Sequence, residues 1–289
     1  MLWRPESDCY AARRRTALEP RPNFIYGTAW KEERTESLVA QALAAGFVAI
    51  DTANQRKHYY EEGVGAALKA AFESGTQRDD LWLQSKFTYQ RGQDHRLPYD
   101  PAAPLATQVE QSFQSSLAHL HTDYLDSYVL HGPASRSGLT KGDWDVWRAM
   151  ETLHSSRKAR VIGVSNISLD QLRALCEGAE VKPAMVQNRC YARLGWDRDV
   201  RAFCRDHGIG YQGFSLLTAN RTELAGPTVV AIAQRHQRTV PEVIFRFAMD
   251  VGMIPLTGTS SRQHMDQDLS CTDIELSDDE VRAIETISA

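Results

Sequence analysis

Eight short apolar segments of β type recur along the chain, and each is separated from the next by a longer stretch that is mostly amphipathic. They occupy residues 24–27, 47–50, 81–85, 124–130, 161–164, 184–186, 209–213 and 253–256. Helical periodicity fills the intervals at 35–45, 63–74, 105–120, 143–156, 169–177 and 198–207, then twice before the last strand, at 227–236 and 241–250. A final helix is predicted over 277–287. Each interval is long enough for a crossover between parallel strands. No Pro/Gly/Ser-rich linker breaks the alternation, so one domain is expected over residues 23–289 behind an N-terminal extension at 1–22.

This alternation suits a closed (β/α)8 TIM barrel or an open doubly wound sheet, and periodicity does not separate them. Motifs do. An open dinucleotide-binding sheet carries G-x-G-x-x-G after its first strand, whereas the first strand here runs into Gly27-Thr28-Ala29-Trp30. Gly63-Val64-Gly65 lacks the third glycine and follows Glu61-Glu62, which would repel a pyrophosphate. A length of 289 residues fits one barrel, for which about 250 is typical. With 42% hydrophobic and 24% charged residues, the chain has material for a sizeable core. Its net charge of -4, with mixed signs, speaks against nucleic acid or an anionic membrane as partner. The five cysteines form an odd set without C-x-x-C, which fits neither a disulfide framework nor a zinc cluster. A cytoplasmic protein is expected, with Arg13-Arg14-Arg15 part of a solvated extension, as a monomer or weak homodimer.

In a barrel the residues just after each strand form the catalytic face. Strand two ends in Asp51, strand three in Lys86 and strand four in His131, while Tyr59 and Tyr60 lie in the loop after Asp51. Singly each has an ordinary explanation: Asp51 as a cap, His131 as a hydrogen-bonded structural histidine, a tyrosine packed on the rim. Together they make a proton donor for carbonyl reduction. An ammonium beside a tyrosine lowers its pKa, an aspartate holds that ammonium, and a histidine donates to the substrate oxygen. His119 and His121 lack a third ligand, so they are expected on a solvated helix end and no metal is predicted.

From about Phe24 to the C-terminus the chain resembles the aldo-keto reductase family. The family's D-T-A and V-G elements stand as Asp51-Thr52-Ala53 and Val64-Gly65, its strand-three lysine as Lys86, and its D-Y-x-D segment as Asp123-Tyr124-Leu125-Asp126 ahead of His131. Gly163-Val164-Ser165-Asn166 and Gln187-Asn188 match its G-x-S-N and Q-N elements. The resemblance implies an NADPH-dependent oxidoreductase that reduces a small aldehyde or ketone to an alcohol, reversibly. It assigns Ser165, Asn166 and Gln187 to the nicotinamide carboxamide, Phe214 to stacking on the ring, and Ser215 with Leu217 to the pyrophosphate. Thr28, Asp51 and Thr257 belong to the same cofactor site, and Trp30, Tyr60 and His131 to the substrate pocket.

Three departures follow. Arg56 stands where the family's tyrosine would be, and the loop from Asp51 to Val64 is two residues longer, which shifts the acid to Tyr59, with Tyr60 as the alternative; counting back from Gly65 puts His58 at the usual position. Leu256 replaces the lysine that meets the adenosine 2'-phosphate, which leaves NADH possible beside NADPH, and the usual arginine aligns with Arg262, or with His264 if two residues are inserted so that Met265 takes the apolar position. The chain ends soon after the last helix, so an open pocket for bulky or varied carbonyls is expected, with Trp30 and the 132–141 loop at its mouth. A runner-up reading keeps the same barrel as an NADPH-binding regulatory or redox-sensing subunit with little turnover.

Overall fold

The computed structural model of the chain describes residues 21–288. Eight strands, β1 (Ile25–Gly27), β2 (Ala49–Asp51), β3 (Trp82–Phe87), β4 (Leu125–Leu130), β5 (Ala159–Ser165), β6 (Met185–Arg189), β7 (Gly210–Phe214) and β8 (Met253–Thr257), pair in parallel in that order. β8 returns to β1, which closes the barrel. Of the predicted extension, only residues 21 and 22 are described; Cys9 and the arginine cluster lie outside the described residues. Cys176, Cys190, Cys204 and Cys271 are free thiols.

Helices α1 (Thr35–Ala45), α2 (Glu61–Glu73), α3 (Leu105–Leu120), α4 (Lys141–Ser155), α5 (Leu169–Gly178) and α6 (Arg198–Asp206) cross between successive strands. A short α7 (Arg221–Leu224), then α8 (Pro227–Arg235) and α9 (Val240–Asp250), precede β8; α10 (Arg262–Ser270) and α11 (Asp278–Glu285) follow it. Four of these helices open on a capping box, Thr140 with Asp143, Ser168 with Gln171, Thr239 with Glu242 and Ser277 with Glu280, in which side chains satisfy amides at the helix start.

The main core lies between barrel and helices and is continuous around the ring. A smaller cluster of Ile25, Ala49 and Leu256 sits apart from it. Strand alternation places those three inside the barrel, with polar Asp51, Gln84, Lys86, Gln187 and Gln212 also facing inward. Registers bring these polar residues level: Asp51 pairs with Gln84, and Gln187 with Gln212.

Two glycines allow close approach of backbone. A Cβ on Gly65 would come within 1.7 Å of the His119 carbonyl oxygen, so this glycine lets α2 pack against α3. A Cβ on Gly163 would lie 2.6 Å from the Met185 carbonyl oxygen, across the β5–β6 pair.

Candidate active site

The ends of β2 and β3 carry the central ion pair. Lys86 Nζ lies 2.7 Å from both carboxylate oxygens of Asp51 and 2.8 Å from the Thr52 carbonyl oxygen, with both side chains buried. Burial alone would lower the Lys86 pKa, but attraction by Asp51 and Tyr59 outweighs it and holds the ammonium above its ordinary value. Asp51 Oδ1 also accepts from Gln84 Nε2 at 2.7 Å and Gln187 Nε2 at 3.0 Å.

Tyr59 sits above this pair. Its ring centroid is 4.9 Å from Lys86 Nζ and 5.9 Å from the His131 ring, edge to face. Burial raises the Tyr59 pKa, Lys86 opposes this and Asp51 reinforces it, so the net direction is upward. Lys86 does pull it down, as expected, through its charge and a hydrogen bond, but burial outweighs that pull and the phenol stays protonated. Tyr60 is elsewhere, its ring 4.3 Å from the Arg56 guanidinium and packed on the α2 start at Gly63. His58, at the usual tyrosine position, packs against Trp30 with ring centroids 4.1 Å apart and the planes tilted by 37°.

His131 follows β4 and is held by its neighbours. Its Nδ1 lies 2.7 Å from Thr88 Oγ1, and its carbonyl oxygen accepts from Asn166 Nδ2 at 2.8 Å. Burial, then repulsion by Lys86 and His58, holds the imidazole pKa down to about 3, so the ring is neutral at physiological pH. One nitrogen of a neutral ring carries the proton. If the Thr88 hydroxyl donates to Nδ1, that proton is on Nε2.

A cavity of 1440 Å³ runs from this cluster across the barrel mouth. Trp30, Asp51, Tyr59, His131, Ser165, Asn166, Gln187, Phe214, Ser215, Leu217 and Thr257 all line it. Trp30, Asn166 and Ser215, each just past a strand end, hold φ near 62°, 53° and 57°, a left-handed backbone that non-glycine residues adopt at some cost. Thr28 and Lys86 lie beneath the lining: Thr28 is fully buried and donates to the Asp51 carbonyl oxygen at 2.9 Å. Gln187 is in the wall, but its amide nitrogen already serves Asp51 and Gln212.

Arg262 is not in the lining. It pairs with Asp266 at 3.0 Å, one turn along α10, while His264, Gln267 and Asp268 face the cavity and Met265 is fully buried. Met265 is thus the buried apolar residue of α10, and His264 rather than Arg262 is the basic residue in the lining. Burial pushes the Asp268 carboxyl up to about 7, against the bond it accepts from Thr257.

Lys31 was not foreseen as a site residue. Its Nζ donates to the Gly258 carbonyl oxygen at 2.8 Å and lies 4.8 Å from the Tyr26 ring centroid, with Arg34 also in the cavity wall. The strand-end rule applied to the loop after β1 would have found it. Gln84 and Gln212 were missed too, although inward alternation from Lys86 marks the first. At the end of α3 His121 is exposed as expected, whereas His119 in the last turn is half-buried, with its Nδ1 3.3 Å from the buried Glu61 carboxylate. Among the described residues no three metal-ligating side chains converge.

A sequence profile of the aldo/keto reductase family matches residues 24–289. The chain belongs to the aldo/keto reductase family. It is 32% identical over 257 residues to a glyoxal reductase of Bacillus subtilis, covering 89% of this chain and 84% of that one. The solved aldo/keto reductase of Brucella melitensis superimposes with a TM-score of 0.78 at 28% identity, over 92% of this chain and 95% of that one. A Bombyx mori aldo-keto reductase solved in complex with NADP shares the fold with a TM-score of 0.78 at 24% identity, over 92% and 89% of the two chains. Aldo/keto reductases are NAD(P)H-dependent oxidoreductases, and the closed eight-stranded barrel found here is their fold. No described helix of this family member is long and apolar enough to cross a membrane.

Proposed function

We propose that the chain reduces aldehyde or ketone carbonyls with NADPH, using Tyr59 as the acid. The observation that carries this reading is the convergence of Tyr59, Lys86, Asp51 and His131 at one end of a cavity large enough for a dinucleotide. The lining suits that cofactor. Phe214 offers a ring face, Ser165, Asn166 and Gln187 offer polar groups for a carboxamide, and Lys31 and Arg34 offer cations for phosphate.

A bound reduced nicotinamide supplies the hydride. Tyr59 gives its proton to the carbonyl oxygen, and the Lys86 ammonium steadies the phenolate left behind. Asp51 keeps Lys86 charged and in place. His131 donates from Nε2 to the same oxygen as negative charge grows on it. The Lys31 ammonium, two residues from Leu256 in contact terms at Gly258, stands in for the missing lysine, which favours NADPH over NADH.

The test is loss of reduced-nicotinamide absorbance with a panel of aldehydes and ketones, comparing wild type, Tyr59→Phe and Tyr60→Phe. Tyr59→Phe is expected to lose about 10²–10⁴-fold in kcat, the usual worth of a positioned acid, with NADPH binding retained. An equal loss in Tyr60→Phe alone would move the acid there. Tight NADPH binding without turnover of any carbonyl would favour a regulatory barrel.

A further inference from the structure

Beside His131 a second cavity, of 690 Å³, adjoins the first and shares His58, His131, Asn166, Arg189 and Tyr191 with it. Its wall carries three arginines, Arg91, Arg136 and Arg189, against one carboxylate, Asp197. Asp197 turns its Oδ2 to Asn188 Nδ2 at 2.9 Å and to the Tyr211 hydroxyl at 2.7 Å, not to an arginine. The two histidines in the wall add no charge, since burial lowers both. The excess is therefore cationic, on a chain whose net charge is -4.

None of the three arginines meets a carboxylate among the described residues. Arg91 donates to the carbonyl oxygens of Pro133 and Ala134, and Arg189 lies 5.5 Å from the Phe214 ring centroid. Arg136 is exposed, yet the loop that carries it is built. Arg91 grips residues 133 and 134 on one side, and Asp143 Oδ1 accepts from the Ala134 N–H at 2.7 Å. Buried Gln171 spans the other side, donating to the Ser135 and Gly138 carbonyl oxygens at 3.0 and 2.8 Å. Arg91 is used in holding the loop, whereas Arg136 and Arg189 carry positive charge with no carboxylate partner among the described residues to offset it. They match an anion, which the planar fork takes up bidentately.

We propose that this wall selects carbonyl substrates bearing an anionic substituent, a carboxylate or a phosphate, received by Arg136 and Arg189 while the carbonyl faces Tyr59 and His131. The proposal narrows the expected range of bulky or varied carbonyls, and it rests on the reductase reading above.

The test compares kcat/KM for matched pairs: 4-carboxybenzaldehyde against methyl 4-formylbenzoate, and glyceraldehyde 3-phosphate against glyceraldehyde. In at least one pair the anion is expected to win by about tenfold or more, and which pair does so separates carboxylate from phosphate. In Arg136→Ala and Arg189→Ala that ratio falls towards one, and added salt reduces it in wild type. Parity in both pairs, or a preference that survives both substitutions, overturns the proposal. Titration of the NADPH-loaded protein with benzoate and phenyl phosphate, read by tryptophan fluorescence, needs no turnover. Arginine-dependent binding in a protein that reduces no carbonyl would sink the reductase reading and leave the anion site standing; no arginine-dependent binding of either anion sinks the anion site.

Discussion

Lys31 is a cation that burial penalises: desolvation, then repulsion by Arg34, brings its pKa down to about 8. A phosphate would restore what burial removes, because only the protonated amine attracts it. NADPH affinity should therefore be full below pH 8 and decline as pH rises through that value, and Lys31→Met should bind about 10–100-fold more weakly with a flatter profile, the worth of a charge-assisted hydrogen bond. Fluorescence titration from pH 6.5 to 9.5, about three units around that value, would show it; a wild-type profile flat across pH 8 would remove Lys31 from the phosphate site. Thr88 acts at one remove. If its hydroxyl fixes the His131 tautomer, Thr88→Val should slow carbonyl reduction about 2–10-fold in kcat, one neutral hydrogen bond's worth, and Thr88→Ser should recover it. Recovery failing in the serine variant would point to packing. At this scale Asp51, Lys86 and His131 were legible because they end consecutive strands, and Tyr59 because it neighbours the displaced family position. Thr88 was not, since a hydroxyl near a strand end has no signature until its partner, His131, is known; Lys31 was within reach of the strand-end rule, in the loop after β1, but only its contact at Gly258 gives it a role.

Helix α2 links the tyrosine loop to the rest of the barrel, and its contact with α3 is where a short motif acquires a physical cause. Val64-Gly65 reads from sequence as a family element or a weak phosphate loop, but in the fold Gly65 is the point at which α2 meets the backbone at the end of α3. Gly65→Ala would set a methyl 1.7 Å from the His119 carbonyl oxygen, and no side-chain rotation relieves a clash with backbone. The expected cost is about 1–3 kcal/mol or somewhat more, as for overpacking, read as a lower urea midpoint at unchanged slope. An unaffected midpoint would mean that the two helices can part freely. The same separation would disturb His119, which reaches back to Glu61 and, through it, to Ser85 and Ser116 under the site. All eight strands and the longer helices were legible, because apolar periodicity and caps such as Thr140, Ser168 and Thr239 mark them locally. The α10 helix was not: its nine residues offer only Met265 and Leu269 as apolar contacts, and its place is set by packing on α1 and α9.

Across the whole molecule, the barrel interior is stitched by amides rather than filled with aliphatic side chains alone. Gln212 on β7 accepts from Gln84 on β3 and from Gln187 on β6, both at 2.8 Å, and donates back to Gln84 at 2.9 Å. Gln84 and Gln187 both reach Asp51 on β2, so strands on opposite sides of the ring share one polar unit with the central ion pair at its edge. In a dry interior such a unit stabilises only while every member is satisfied. Gln212→Leu keeps the volume but leaves the Gln84 amide oxygen and part of two amide nitrogens without partners, at about 1–3 kcal/mol. For a chain of this size that is roughly 2–4 °C in melting temperature per kcal/mol. Adding Gln84→Leu removes the group that the first change had orphaned, so the double variant should lose less than the two single losses combined. Asp51 keeps Lys86 and Gln187 as donors in the double variant, which predicts retained carbonyl reduction alongside the lower melting temperature. A thermal-unfolding cycle in which the losses simply add would mean that the amides act independently, and a collapse of turnover with melting unchanged would mean that the unit serves the ion pair rather than the barrel.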